Sequence, residues 1–348
     1  MLRVLFIIIA VSQLIFSADL VIEINGKADP ALDKKIRAAL DLVHADRFSE
    51  ALRVFEGIKK QYPSHPAGYF FTAATIDAKM AFYMSAGEEK EFTANCEKAI
   101  ELGEAAMQSN PDDMWNLFFT GGSYGTLGSF QGRYKRYITS FRNGLSGVDL
   151  LKQVYKRDPR FSDALFGMGV YTYWSSKLSK LLWWMPGVGD NREEGIQQLK
   201  KAANDGIYAA VPAVINLAQV LNLEGRYDEA LKVTQEWLVK YPDNRALSFY
   251  AGEAHAAKGE LDKALAIFEE ILAYADAEDR NNNVHSLKCH ASIAAIYEKK
   301  KNNLFALAHC KRGLMYGFKE PDLQITKEYS DQLRAISARV KAKAYPSR

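Results

Sequence analysis

Seven small residues stand in one row along this chain: Ala51, Ala99, Gly147 and Gly195, each 48 positions after the last, then Ala230, Ala264 and Ala306 at steps of 35, 34 and 42. An apolar or small residue lies four positions on, and a proline often eight positions after that, as in Ala51–Phe55–Pro63, Ala99–Gly103–Pro111, Gly147–Leu151–Pro159 and Ala230–Thr234–Pro242. A period of about 34 with this phrasing predicts the second helix of a helix–turn–helix unit, and the longer steps predict the same unit enlarged by about 14 residues. Such units cannot bury their apolar faces alone, so they stack into a superhelix that presents an extended surface. The fold expected is all-α: a right-handed superhelical solenoid of stacked antiparallel helix pairs, with inserts in the early repeats and a C-terminal capping helix.

The first pair is predicted between Asp33 and Tyr62. Ile36, Ala39, Leu40 and Val43 share one helical face, Asp46–Arg47 make the turn, and Ala51, Leu52, Phe55 and Ile58 form the second face. Pro63 then stops the helix, because proline lacks the N–H and clashes with the preceding turn. Later copies run Val214, Leu217, Ala218, Leu221, Ala230; Ala251, Gly252, His255, Ala264, Phe268; and Ile293, Ala294, Tyr297, Ala306, Cys310. Tyr329, Leu333, Ile336 and Val340 predict a final amphipathic helix that shields the last apolar face. The expected organisation is residues 1–17 signal peptide, 18–32 linker, 33–319 solenoid and 320–348 capping helix and tail.

This pattern resembles the tetratricopeptide repeat family over roughly Asp33 to Gly317, with Trp115, Gly169, Gly252 and Tyr297 standing where that family's first helix carries Trp, Gly and Tyr. Gly103 and Thr234 depart from it where a large residue is the rule. The resemblance implies that the first helices line a concave groove. Carried onto this sequence, that register places Phe70, Asn116, Phe166, Ile215 and Phe249 on the groove, with Tyr173, Gln219 and Glu253 nearby. It implies a protein or peptide partner and no cofactor. The groove lacks the ladder of Lys and Asn with which family members clamp a terminal carboxylate.

Three inserts individualise the chain. The first, near Met80 to Glu91, carries Phe82 and Tyr83; the second, Gly121 to Arg142, is rich in glycine and tyrosine. The third holds Trp174, Lys177, Leu181, Trp183, Trp184 and Met185. If exposed, it is a patch for a protein partner or for the membrane interface; the alternative is that it folds back into the core. Matched insert lengths predict convergence on one edge of the superhelix. Asp190 and Glu193 have capping-box spacing. Arg133, Lys135, Arg136 and Arg142 are expected to be a solvated helix face rather than an anion site.

Arg3 before the apolar run Val4–Val11, with Ser17 and Ala18 after it, predicts a secretory signal and hence an exported, periplasmic protein. Without Arg3 the chain carries 44 basic and 42 acidic residues, which provides no general field for nucleic acid. Three cysteines exclude a disulfide framework. His285, Cys289, His290, His309 and Cys310 crowd the last repeat, where a disulfide, a zinc site and plain core packing are all open. The spacing matches no strong metal motif, and no catalytic set is found. The reading is a non-enzymatic interaction scaffold of the cell envelope. The alternatives are a membrane-apposed accessory of transport or envelope assembly, and a binder of small molecules or glycans.

Overall fold

The computed structural model describes residues 20–24, 26–178, 189–277 and 283–344. The expected signal peptide, and Leu181, Trp183, Trp184 and Met185 of the third insert, lie outside the described residues. A two-residue hairpin, β1 (Glu23–Ile24) against β2 (Lys27–Ala28), leads into the helices, with Ile22 fully buried beside it.

Seven antiparallel helix pairs follow: α1 (Pro30–His44) with α2 (Phe48–Gln61), α3 (Pro66–Tyr83) with α4 (Glu89–Ser109), α5 (Met114–Arg133) with α6 (Tyr137–Arg157), α7 (Ala164–Lys177) with α8 (Arg192–Asp205), α9 (Ala210–Leu223) with α10 (Tyr227–Leu238), α11 (Arg245–Ala257) with α12 (Leu261–Ala277), and α13 (Asn283–Lys299) with α14 (Asn303–Gly313). A last helix, α15 (Asp322–Ala344), packs on α13 and α14. The fold is therefore an all-α solenoid of stacked pairs with a terminal cap. Three of the first helices begin on Asp or Asn caps. Asp29 accepts from Leu32 N at 2.9 Å, Asp113 from Trp115 and Asn116 N at 3.0 Å, and Asn244 from Leu247 N at 3.0 Å, each satisfying amides that the helix leaves open.

One backbone device recurs at the turns. Asp46, Lys135, Gly225, Gly259 and Lys301 each take a left-handed conformation between paired helices. The next residue then donates back to a carbonyl five positions earlier, as Arg226 N to Leu221 O at 2.8 Å and Glu260 N to His255 O at 2.9 Å. That is the helix-ending bond pair that turns a chain sharply. In the regular pairs this residue stands five positions before the small residue of the row (Asp46 and Ala51, Gly225 and Ala230, Gly259 and Ala264, Lys301 and Ala306), but Lys135 stands twelve before Gly147. The insert of the third pair is thus divided, about seven residues to each helix, and seven residues are about two helical turns. Both helices lengthen while every residue keeps its face. The second insert is a helix extension, not a surface loop.

The row of small residues is the seam of each pair. Ala51, Ala99, Ala230, Ala264 and Ala306 are fully buried. In α6 and α8 glycine replaces alanine because the backbones come closer. A Cβ on Gly147 would stand 2.7 Å from Gly121 O and 2.9 Å from Gly125 N, and one on Gly195 would stand 2.7 Å from Tyr173 N. Asp190 and Glu193 do not form the expected capping box. Asp190 Oδ1 takes Arg192 Nε at 2.8 Å, Glu193 takes Arg226 Nη1 at 2.7 Å, and α8 starts without a side-chain cap.

Gly147→Ala is expected to lower unfolding free energy by about 1–3 kcal/mol, because backbone rather than a movable side chain blocks the added methyl. Gly125→Ala is the matched control. Its Cβ meets nothing within 4 Å, so alanine's helix preference should leave stability unchanged or raised by up to about 1 kcal/mol. Urea denaturation of the two variants checks this.

Candidate functional site

The inner side of the early repeats is filled by the chain itself. Phe70, Phe71, Trp115, Phe118 and Phe119 from α3 and α5 interlock with Phe161 and Tyr208, with ring centroids such as Phe70–Phe119 at 5.6 Å and Trp115–Tyr208 at 5.9 Å. Tyr208 is pinned from both sides. The buried Asp163 carboxylate accepts from the backbone N of Ile207, Tyr208 and Ala209 at 2.9, 2.7 and 2.7 Å, and the Tyr208 hydroxyl donates to Asp33, with the Arg37 guanidinium 5.3 Å from its ring. Burial, outweighing the three amides, lifts the Asp163 pKa.

Beyond this plug the superhelix meets itself. Tyr241 Oη donates to Asp41 Oδ1 at 2.7 Å, Asn244 Nδ2 to His44 O at 3.0 Å, and Arg245 N to Asp46 Oδ2 at 3.1 Å, all between residues about 200 apart. Phe82 stacks on His285 at 4.9 Å, and His285 Nδ1 lies 2.6 Å from Phe82 O. One superhelical turn is therefore closed by α1, the turn after it and α3 against the α10–α11 connection, the start of α11 and α13. The first insert supplies this contact rather than a binding loop. Asp46 is buried at the junction, and desolvation pushes its carboxyl up to about 7 against the pull of Arg245.

A groove of about 540 Å³ lies open on the late repeats. Gln219, Asn222 and Leu223 of α9, Tyr250, Glu253 and Ala257 of α11, and Lys288, Ser292 and Lys299 of α13 line one wall; Glu328, Tyr329 and Gln332 of α15 face them. Within it the Lys288 Nζ lies 3.6 Å from the Phe249 ring centroid, 5.9 Å from those of Tyr250 and Tyr329, and 3.9 Å from Glu253 Oε1. Burial works against this ammonium, but the Tyr329 hydroxyl, Glu253 and Tyr250 outweigh it and hold the Lys288 pKa above the ordinary lysine value. Burial pushes the Tyr250 hydroxyl up to about 12. The arrangement offers a fixed positive charge, a carboxylate, aromatic rings and amide groups to an extended or helical segment.

The eight residues expected on the groove divide accordingly. Gln219 and Glu253 line the open groove. Asn116, Tyr173 and Phe249 are instead buried: Asn116 on α5, Tyr173 against Trp174 with its hydroxyl on Glu224 at 2.8 Å, and Phe249 beneath Lys288. Phe70, Phe166 and Ile215 are half-buried and packed on the core clusters. Of the third insert, Trp174 is half-buried against Tyr173, and Lys177 donates to Glu224 at 3.0 Å. Lys288 escaped the sequence reading although the signal was present. Gln219, Glu253 and Lys288 are separated by 34 and 35, so the repeat step alone leads to it. In the basic run, Arg133 pairs with Asp77 and Arg136 with Glu89, and both guanidinium groups stack on Phe130.

The last repeat holds no disulfide between Cys289 and Cys310; these and Cys96 are buried thiols. His290 Nδ1 and His309 Nδ1 lie 2.9 Å apart. Among the described residues no group of three or more His, Cys, Asp or Glu is placed to hold a metal ion, and no helix is long and apolar enough to cross a membrane.

The tetratricopeptide repeat pattern matches residues 221–288, from the end of α9 into α13. No curated relative matches the chain. Solved structures similar to it include a tetratricopeptide repeat protein from Parabacteroides merdae (13% identity over 88% of this chain and 100% of that one, TM-score 0.43), the human IFIT1 dimer with m7Gppp-AAAA (13%, 89% and 68%, 0.47) and yeast Tom70 (11%, 90% and 83%, 0.34). Each is a likeness in outline only.

The closure and its surroundings generate an acid lability. Burial holds the imidazoles of His44, His65, His285 and His290 down at about 4, from 6.5. A depressed folded-state pKa contributes stability that is present above 6.5 and is lost as pH falls towards 4. At pH 5 each such histidine costs about 2 kcal/mol relative to pH 8. Asp46, raised to about 7, and Asp163, also raised by burial, act in the opposite sense, their stabilisation growing as pH falls, but they are two groups against four. The melting temperature should therefore fall between pH 7 and pH 5, and His285→Asn should flatten that slope. Thermal melts followed by far-UV circular dichroism across this range check the sign.

Proposed function

We propose that the chain is a non-catalytic scaffold that holds a peptide or helical segment of another protein in the groove between α9, α11, α13 and α15. The observation that carries this reading is that three successive first helices and α15 place Gln219, Glu253, Lys288 and Tyr329 around one open space, while aromatic rings of α3 and α5 fill the inner side of the early repeats. Association would draw on apolar burial against Tyr250, with orientation set by Lys288 and Glu253. The pairing of both charge signs in this groove favours protein over nucleic acid, whose binding needs one-signed charge along a backbone track. The apolar N-terminus supports export to the periplasm as the setting in which the partner is met.

A photo-reactive side chain at Gln219, introduced into the full chain in cells of its source, is expected to yield adducts with one recurrent protein. The control position is Ile138, which is 83% exposed and outside the groove. Adducts at Gln219 no different from those at Ile138 would overturn the reading. Lys288→Glu should weaken the recovered complex by about tenfold or more, the loss expected when a desolvated charge is reversed; titration by isothermal calorimetry measures it.

A further inference from the structure

Helix α15 does two different things along its length. Its C-terminal half is the cap: Leu333, Ile336 and Val340 are completely or almost completely buried with Leu287, Ala291 and Ala306. Its N-terminal half, residues 322–332, crosses to the opposite turn of the superhelix. Asp322 Oδ1 accepts from Ala86 N at 2.9 Å and from Tyr134 Oη at 3.4 Å, and Asp322 Oδ2 accepts from Ser85 Oγ at 3.2 Å. Ile325 packs on the cluster of Met80, Phe92, Phe130 and Tyr134. Tyr329 faces Lys288 at the groove wall. Asp322, Ile325 and Tyr329 fall at i, i+3 and i+7, one face of a helix.

Between Asp322 and Gln332 Thr326 alone is buried; Leu323 is 46% exposed and Gln324, Lys327, Glu328, Asp331 and Gln332 are exposed. This half therefore buries little apolar area and is held mainly by three polar contacts at Asp322 and by Tyr329. Such a segment opens at a lower free energy than the cap with which it is continuous.

Building on the groove reading above, we infer that residues 322–332 are a displaceable intramolecular strap, and that the partner segment is an amphipathic helix carrying the same three features: an acidic residue, an aliphatic residue three positions on and an aromatic residue four beyond that. The carboxylate meets the Ala86 amide and the Ser85 and Tyr134 hydroxyls, the aliphatic residue enters the Met80–Phe130 cluster, and the aromatic ring lies beside Lys288. The strap competes with the partner for these contacts, so apparent affinity is the intrinsic affinity scaled by the fraction of molecules with the strap released.

The probe is a fluorescein-labelled synthetic peptide of residues 319–333, titrated by anisotropy against the full-length chain and against its Asp322→Ala/Tyr329→Ala double variant. The variant should bind the peptide saturably and at least about tenfold more tightly than the unaltered chain, and a peptide with both positions changed to alanine should not bind. Equal binding by the two proteins, or equal binding of the two peptides, overturns the inference. Amide hydrogen exchange on the unaltered chain is a second measurement that needs no variant. Residues 322–332 should exchange faster than 333–342, and equal protection overturns the strap. If Gln219 crosslinks a partner while the peptide fails to bind, the strap falls and the groove reading stands; if the peptide binds and Gln219 captures nothing, the groove reading falls.

Discussion

Close backbone contact along the small-residue seam is the constraint on which the other features rest. Where Ala51, Ala230, Ala264 and Ala306 face a neighbouring helix, a methyl group is all the space allows; where Gly147 and Gly195 do so, not even that fits. A pair held this tightly tolerates an insertion only if it leaves every residue on its face. Fourteen residues shared between two antiparallel helices meet that condition, because each gains about two turns. The lengthened α3, α5 and α6 then project beyond the neighbouring pairs, and their ends are what reach across the superhelix. Phe82 and Ser85 lie at the far end of α3, and Tyr134 at that of α5. The inserts thus supply one part of the closure, and Asp41, His44 and Asp46 of the first pair, which carries no insert, supply the other.

Closure changes what kind of object the solenoid is. An open repeat array has contacts only between neighbours, and its stability is close to a sum over repeats. Here Asp41–Tyr241, Asp46–Arg245 and Phe82–His285 tie together parts of the chain that are five pairs apart. Asp41 is exposed, but the other ties bury polar groups, with His44, His285 and the Asp46 carboxylate held away from water. Buried polar groups of this kind are costly unless all partners are present. They therefore define one geometry of closure sharply while making it sensitive to protonation. The same contacts decide where a ligand can go, since the early concave face is spent on Trp115, Phe118, Phe119 and Tyr208.

Most of the architecture was legible in the sequence, and for a definite reason. The seam is read from residues 34 or 48 apart, a signal that depends on local helix geometry and repeats seven times. The cap was legible likewise, from Leu333, Ile336 and Val340. The site was less so. The register of first helices led to Gln219 and Glu253, which line the open groove, and equally to Asn116 and Phe249, which are buried. Periodicity tells which way a side chain faces; it carries nothing about what arrives from 200 residues away to cover it. The pairing of Asp163 with the Ile207–Ala209 amides, or of Asp322 with Ala86, involves residue types too common to stand out. Lys288 is the exception, one repeat step beyond Glu253 and thus within reach of the same argument.

The open groove owes its position to a difference between the two halves of the molecule. In α3 and α5 the inward positions carry Phe70, Phe71, Phe118 and Phe119, rings large enough to meet at the centre. In α9, α11 and α13 the corresponding positions carry Gln219, Asn222, Glu253 and Ser292, which leave space and keep it wet. A solenoid with large rings throughout would be a closed rod with no site, and one with small polar residues throughout would lack the core that makes closure stable. The early half acts as the anchor, and the late half is held open against it. The N-terminal part of α15 spans the two, with Asp322 on the anchored side and Tyr329 on the open side. Any partner that takes the place of this segment is read by both halves at once.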